Sequence, residues 1–396
     1  MMVPQIDKQT DQTDQTDQAD GDDAIFAGLT VLDLSQGIAG PYCGQILRQQ
    51  GARVIKVEPP QGDWSRTMGR SREGLNALAI AYNTGKESVV LDTRSEAGRR
   101  ALFELASHAD VVLQNYRPGV VSRMGVDYDS LRQARPDLVY LSISGYGADG
   151  PSSALPALDT VMQAVTGMMH VNRDAAGKPR RVGFFVIDLA TGLYAAQTVA
   201  AALYRSARTG KGRHIELSML QTCAALQAYV LLEDALFPGD ASSVFTAPSG
   251  LFDTADGAAY VSMVNDAMFL RLCTLMDRAD WTADVSLHTS AGRAQRAAEI
   301  NNAVAEMLIR QPNAHWEALF TRHDVLFGVA AEPPAMRRHP QAIHAGIFTD
   351  MEVPGVGALP WTGMPGMGRR QPPPGATPRL GEHTEDVLKE FGIALA

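Results

Sequence analysis

The stretch 30-TVLDLSQGIAGPYCGQILRQQGARVIKVE-58 decides the fold class. It opens on an apolar run, passes through a glycine-bearing turn at Gly37 and Gly40, continues as a helix-patterned segment from Pro41, and closes on a second apolar run, RVIKVE. Neither run alternates cleanly between apolar and polar residues, which is the signature of strands covered on both faces. Strand, turn, helix and strand in that order form one unit of a parallel sheet.

The same alternation continues outward. SVVLD, SEAGRRALFELASH, ADVVLQN and LVYLSIS follow in turn, so the expected fold is α/β, a Rossmann-like, doubly wound parallel sheet with helices on both faces. The run from Asp188 to Gly212 reads as a long Ala-rich helix ended by Gly210, and RHIELSM as a further strand. Past about Ser218 the texture changes to helical stretches near Glu233, over 268–276 and over 293–309, with one strand signal at 258–263. That texture predicts a second, smaller domain. The segment 353–378 is crowded with Gly and Pro and reads as an irregular surface strap, after which Thr384 is expected to cap a short closing helix with Glu385 and Asp386 in its first turn.

With 396 residues and 45% hydrophobic content, the chain can bury the core of two or three domains. No apolar run is expected to reach the roughly 18 to 20 residues of a membrane span, so no membrane partner is expected. The first 23 residues repeat Asp, Gln and Thr without the apolar stretch of a secretory signal and read as a disordered acidic tail. They hold seven Asp against one Lys, a net of −6, leaving −3 of the chain's −9 for the folded body. No basic stripe is present, so nucleic acid is not an expected partner. Cys43, Cys223 and Cys273 lie far apart and are odd in number, which argues for a reducing, cytoplasmic compartment over a disulfide framework. The histidines show no ligand spacing, so no metal is expected.

The glycine turn invites a dinucleotide reading, but Gly37 and Gly40 give GxxG where GxGxxG is needed, and Pro41 removes an amide that would face pyrophosphate. A structural turn, or one shaped for another phosphate-bearing ligand, remains. The pairs Gly85-Lys86 and Gly210-Lys211 precede strands and are not P-loops; Lys211 reads as a solvated turn lysine.

The ordered set GLTVLDLSQGIAGPYCGQILRQQGARVIKVEPPQGDWSR, YNTGKESVVLD, LVYLSISGYGADGP, LPALDTVMQAVTG, DLATGLYAA, TGKGRHIELSM, LFDTADGAAYVSM and GEHTEDVLKEFG resembles the class III CoA-transferase family. That family includes formyl-CoA transferase, the carnitine CoA-transferase and the α-methylacyl-CoA racemases. The resemblance implies a large Rossmann-like domain from both chain ends, here 24–217 plus 340–396, a small inserted α+β domain at 218–339, and an interlocked homodimer. It implies coenzyme A as co-substrate, with an acyl-CoA and a small carboxylic acid as partners.

Asp159, in LPALDTVMQAVTG, falls where the resemblance places the transferases' nucleophile, although an Asp before an apolar run is by itself a common helix cap. The implied chemistry runs through aspartyl anhydride and aspartyl-CoA thioester intermediates in a site that excludes water. The racemase branch would need a histidine where Leu158 stands, with Asp188 as its acid–base partner; otherwise Asp188 reads as a cap or hydrogen-bonding residue of the long helix. For CoA the resemblance points to Gly37, Ile38, Ala39, Lys86, Asn115, Tyr116, Arg123, Met124 and Tyr146, with Lys and Arg suited to phosphates and Tyr116 or Met124 to adenine. Solvated charge for Arg123 and core packing for Met124 are the plainer alternatives. Ser249 and Gly250 are a candidate lid offering amides to an oxyanion, with a plain hairpin turn as the other reading. A CoA-thioester isomerase and a non-catalytic CoA-binding protein are the competing functions.

Overall fold

The structure is a computed structural model that describes residues 24–174, 176–239, 245–367 and 374–395. The expected acidic tail lies outside the described residues, as does 368–373 of the expected strap. The chain divides into two compact units, one running up to Gln227 and resuming at Gly346, the other Ala228–Ala345.

In the first unit β1 (Thr30–Asp33), α1 (Ala39–Gln49) and β2 (Arg53–Glu58) are followed by the ribbon β3 (Ser71–Arg72) and β4 (Leu75–Asn76), then α2 (Ala77–Asn83) and β5 (Glu87–Val90). Next come α3 (Glu96–Ser107), β6 (Val111–Gln114), α4 (Val120–Met124), α5 (Tyr128–Ala134) and β7 (Val139–Ser144). The series ends with α6 (Asp159–Val165), α7 (Met168–Val171), α8 (Val186–Thr209), β8 (Arg213–Ser218) and α9 (Met219–Leu226).

The six main strands form one sheet in the order β5-β2-β1-β6-β7-β8, and every pairing is parallel. The winding reverses between β1 and β6, which opens a crevice beyond the strands' C-terminal ends, where ligands of such sheets bind. One face is covered by a core including Leu32, Ile55, Leu102, Leu105 and Val112; the other by Val31, Leu47, Val54, Leu113 and Val199. Successive residues Val31 and Leu32 fill opposite cores, which is why these strands lack alternation. Local side chains start the helices: Asn76 accepts from Ala79 N, Ser95 from Gly98 N, and Ser218 forms a reciprocal capping box with Gln221.

Helix α8 is long and apolar enough to cross a membrane by length and composition, contrary to the expectation that no apolar run is that long. In this fold Ile187, Thr191, Ala195, Ala196, Val199 and Ala202 are buried in the first unit, and Gly210 ends the helix at φ 65°. The composition is that of a core helix.

The second unit holds a three-stranded antiparallel sheet of β9 (Ser249–Thr254), β10 (Gly257–Ser262) and β11 (Phe327–Val329), ordered β11-β10-β9. Its own core includes Val261, Phe269, Leu272, Ile300, Val304 and Phe320. Of these strands only β10 has a clear sequence signal, because β11 is short and β9 mixes Gly, Asp and Thr into its pattern. The helix expected over 293–309 is two, Ser290–Gln295 and Ala297–Leu308.

Back in the first unit, β12 (Phe348–Val353) and β13 (Gly357–Thr362) make a hairpin where an irregular strap was expected from 353 onward. Met351, Val353 and Trp361 pack against Leu75, so burial of one face overrides the Gly and Pro content. In the closing helix Thr384–Glu390 the cap position is His383. The Thr384 hydroxyl instead donates to Gly381 O and accepts from Val90 N, tying the helix to the β5 edge.

Candidate active site

The turn after β1 is built on buried charge. Gly37 has φ +82°, and a Cβ there would lie 2.4 Å from Trp64 Cζ2, so only glycine fits. Its N–H donates to Asp63 at 3.0 Å, Asp63 pairs with buried Lys56 at 3.0 Å, and Lys56 Nζ donates to Ser35 O at 2.7 Å. Lys86 Nζ holds the other end of the turn through Pro41 O at 2.8 Å, while also meeting Asp33 Oδ2 at 2.8 Å and Asn83 Oδ1 at 3.1 Å. An ammonium has three N–H bonds, and all three of these are made inside the fold. Lys86 is therefore corrected from a phosphate ligand to a support of the turn; burial depresses its pKa to about 8 even with Asp33 opposing the shift.

Across the crevice Gln36 N donates to Asn115 Oδ1 at 2.8 Å, Asn115 Nδ2 returns a bond to Gln36 O at 2.6 Å, and Gln36 Nε2 donates to Tyr116 OH at 3.1 Å. The fold thus joins the turn Gly37, Ile38 and Ala39 to Asn115 and Tyr116. Met124 is half-buried against the same core as Tyr116, while Arg123 is exposed, its guanidinium folded back toward Gly119. Tyr116 and Tyr146 both line a cavity of about 670 Å³ at the ends of β6, β7 and β8, with Arg117, Ser142 and His214 also in its wall.

Two aspartates meet at the start of α8. Asp159 is the first residue of α6 but leaves that helix uncapped; its carboxylate turns to α8. Oδ2 accepts from Ile187 N at 2.7 Å and Asp188 N at 3.1 Å, and Oδ1 accepts from Gln163 Nε2 at 2.6 Å. Gln163 is fully buried and oriented by Val182 N, which donates to its Oε1 at 2.9 Å. Asp159 thus does for α8 what a capping residue does, from a distant part of the chain.

Asp188, expected as a cap or hydrogen-bonding residue, sits inside the first turn of α8, and its carboxyl makes no hydrogen bond or ion pair among the described residues. Burial, and after it the Asp159 charge, pushes its pKa up to about 7. Asp159, expected as the nucleophile, is therefore buried and oriented by three donors, and Asp188 lies beside it with a carboxyl unbonded among the described residues.

Asp188 lies one helical turn ahead of the contact between α8 and α1. One turn along α8, a Cβ at Gly192 would lie 2.8 Å from both Ala39 O and Tyr42 Cδ1, so α8 rests directly on the start of α1. Tyr82 of α2 meets Tyr42 edge-on, with ring centroids 5.6 Å apart, and its pKa is pushed up to about 12 by burial, Tyr42 and Asp188. Neither tyrosine was singled out from sequence, since each sits in a helical pattern that explains it as packing.

Ser249 and Gly250 open β9 in the second unit, opposite Ser262 and Val261, and Ser249 N donates to Asn301 Oδ1 at 3.2 Å. They are strand residues, not a hairpin turn. Among the described residues no group of three or more His, Cys, Asp or Glu is placed to hold a metal ion.

Comparison with known proteins gives the family and the fold. The family described as CoA-transferase family III matches residues 26–384. Human succinyl-CoA:glutarate CoA-transferase is 32% identical over 379 residues, covering 92% of this chain and 85% of that protein. Acetyl-CoA:oxalate CoA-transferase of Acetobacter aceti is 36% identical over 299 residues, covering 74% and 77%. A crystal structure of a CAIB/BAIF family protein from Brucella suis superimposes with a TM-score of 0.82 at 28% identity, covering 92% of this chain and 98% of that one.

Proposed function

We propose, from the premise that this chain belongs to CoA-transferase family III, that it passes coenzyme A from an acyl-CoA to a carboxylic acid by way of a covalent intermediate on Asp159. The carrying observation is that the Asp159 carboxylate is buried and oriented by three donors, Ile187 N, Asp188 N and Gln163 Nε2, with Oδ1 accepting only one of them. A carboxylate has about four lone-pair sites, so three accepted bonds fix its direction and leave a lone pair for attack.

The proposed sequence needs no outside reagent. One Asp159 oxygen adds to the thioester carbonyl, the carbon–sulfur bond breaks, and an anhydride and CoA thiolate result. The thiolate adds to the Asp159 carbonyl carbon and expels the donor acid, leaving an aspartyl-CoA thioester. The acceptor carboxylate attacks that thioester, and the released thiolate then takes the acceptor's acyl carbon and frees Asp159. Both intermediates hydrolyse readily, so burial of the group serves the chemistry.

CoA is assigned to Gly37, Ile38, Ala39, Asn115, Tyr116, Arg123, Met124 and Tyr146, with Lys86 acting through the turn. The relatives named for succinyl-CoA with glutarate and acetyl-CoA with oxalate support small dicarboxylic acids as the acids exchanged. A racemase would need a histidine where Leu158 stands to pair with Asp188 as its acid–base partner. An interlocked homodimer is supported by exposed apolar side chains on α6 and beside it, Leu158, Val161, Val165 and Phe184. Three buried free cysteines support a cytoplasmic setting.

The test is intact-mass and peptide mapping after incubation with succinyl-CoA or acetyl-CoA. A CoA-sized adduct is expected on Asp159, lost in D159A and retained in D188N. Mapping to Asp188, or transfer by D159A at the wild-type rate, would overturn the assignment.

A further inference from the structure

Three neighbouring strands carry one polar row into the wall of the cavity. Gln114 ends β6, Ser142 stands opposite it on β7, and His214 lies on the diagonal on β8, opposite Tyr140. Gln114 Nε2 donates to Ser142 Oγ at 2.8 Å, and Ser142 Oγ meets His214 Nε2 at 2.9 Å. At the other end Gln114 Oε1 accepts from Tyr116 N at 2.8 Å. The ladder between β6 and β7 stops at Gln114, so beyond it the backbone of Tyr116 is held by a side chain in place of a strand. The proton order along the row follows from its end. Tyr116 N is a donor, so the Gln114 oxygen must face it and the amide nitrogen must face Ser142. Burial holds the His214 pKa below its ordinary value and favours the neutral ring, whose Nε2 then accepts the Ser142 proton while Nδ1 keeps the hydrogen. The ring itself is fixed: it stacks on Tyr128 at 5.0 Å and meets Tyr140 edge-on at 5.3 Å, and Tyr140 OH donates to Val126 O at 2.8 Å.

We infer that Ser142 and His214 are positioning residues for coenzyme A: through Gln114 they fix the backbone of Tyr116, and with it the clamp that Asn115 and Tyr116 make on Gln36 beside the glycine turn. The inference rests on the reading of Tyr116 as a CoA contact. Gln114 by itself has no fixed direction, since half a rotation of its amide would exchange oxygen and nitrogen and set two donors against each other at Tyr116 N. Ser142 supplies the acceptor that rules this out, and His214 supplies the acceptor that keeps the Ser142 hydroxyl in place. Gln114, Tyr116, Ser142 and His214 all line the same cavity, so the row ends where a ligand of Tyr116 would lie.

The test is the affinity for free CoA by isothermal titration calorimetry, read beside kcat and KM, in S142A, S142T, H214F and the double variant S142A/H214F. Phenylalanine keeps a ring between Tyr128 and Tyr140 and removes the acceptor nitrogen; threonine keeps the hydroxyl and suits a strand. S142A and H214F should each weaken CoA binding by about three- to tenfold, the size of one lost neutral hydrogen bond, and S142T should restore it. KM should rise with the dissociation constant while kcat stays within about twofold, because the reacting carboxylate is untouched. The double variant should bind no more weakly than either single one, since one break already opens the row. Wild-type affinity in S142A and H214F, with Y116A weakened, would overturn the positioning role and leave Tyr116 as a CoA contact. Losses that add in the double variant, or an S142T as weak as S142A, would overturn it by showing separate packing effects. Wild-type affinity in Y116A would remove Tyr116 from the CoA site and the inference with it.

Discussion

Asp188 lies beside the Asp159 carboxylate, and burial first and the Asp159 charge second push its pKa up to about 7. That shift bears on stability. A carboxyl whose folded pKa lies above its unfolded value keeps a proton that the unfolded chain gives up, so wild type loses stability as pH climbs from about 4 to about 7. D188N has no such proton and should melt above wild type at pH 8, with the gap closing toward pH 4. Asp159→Ala acts oppositely: it strips an acceptor from Ile187 N and Asp188 N and should cost about 1–2 kcal/mol by chemical denaturation.

At the scale of elements, the site depends on how closely α8 lies on α1. Gly192→Ala would set a methyl 2.8 Å from the Ala39 carbonyl oxygen, an atom of the backbone that cannot step aside without moving α1. A loss of about 1–3 kcal/mol is expected from the forced separation. Turnover should fall further than stability suggests, because Asp159 is bonded to the start of α8 and moves with it relative to the glycine turn; comparing kcat with the denaturation midpoint separates the two effects. The buried pairs Lys56 with Asp63 and Lys86 with Asp33 brace that turn from below. Removing Lys86 leaves Asp33 charged, buried and unpaired, so K86M should lose about 3–5 kcal/mol, seen in the urea midpoint.

For the whole molecule, the exposed apolar side chains of α6 and its surroundings, with the proposed dimer, predict a solution mass of twice the 42.6 kDa chain by light scattering. A monomer would leave Leu158, Val161 and Val165 in water and would refute the dimer. The order of strands and helices in the main sheet was legible in sequence because each element is specified by its own neighbours: a short apolar run, a periodic helix, a capping Ser or a terminating Gly. The same local logic marked the glycine-bearing turn at Gly37, while Asn115 and Tyr116, which the fold brings beside it, came from the family resemblance. It failed for β9, β11 and the β12–β13 hairpin, whose strand character comes from burial against other elements. What composition and periodicity determined by themselves was an α/β chain with a glycine-bearing turn after its first strand. Which lysine faces inward, and which of two aspartates is bonded, only the tertiary structure decided. Asp159 meets amide groups 28 and 29 positions away, and Lys86 an acid 53 positions away, separations that no periodicity encodes. A hydrogen bond depends on where atoms meet in space, and a residue's type alone leaves open whether it will be held or free.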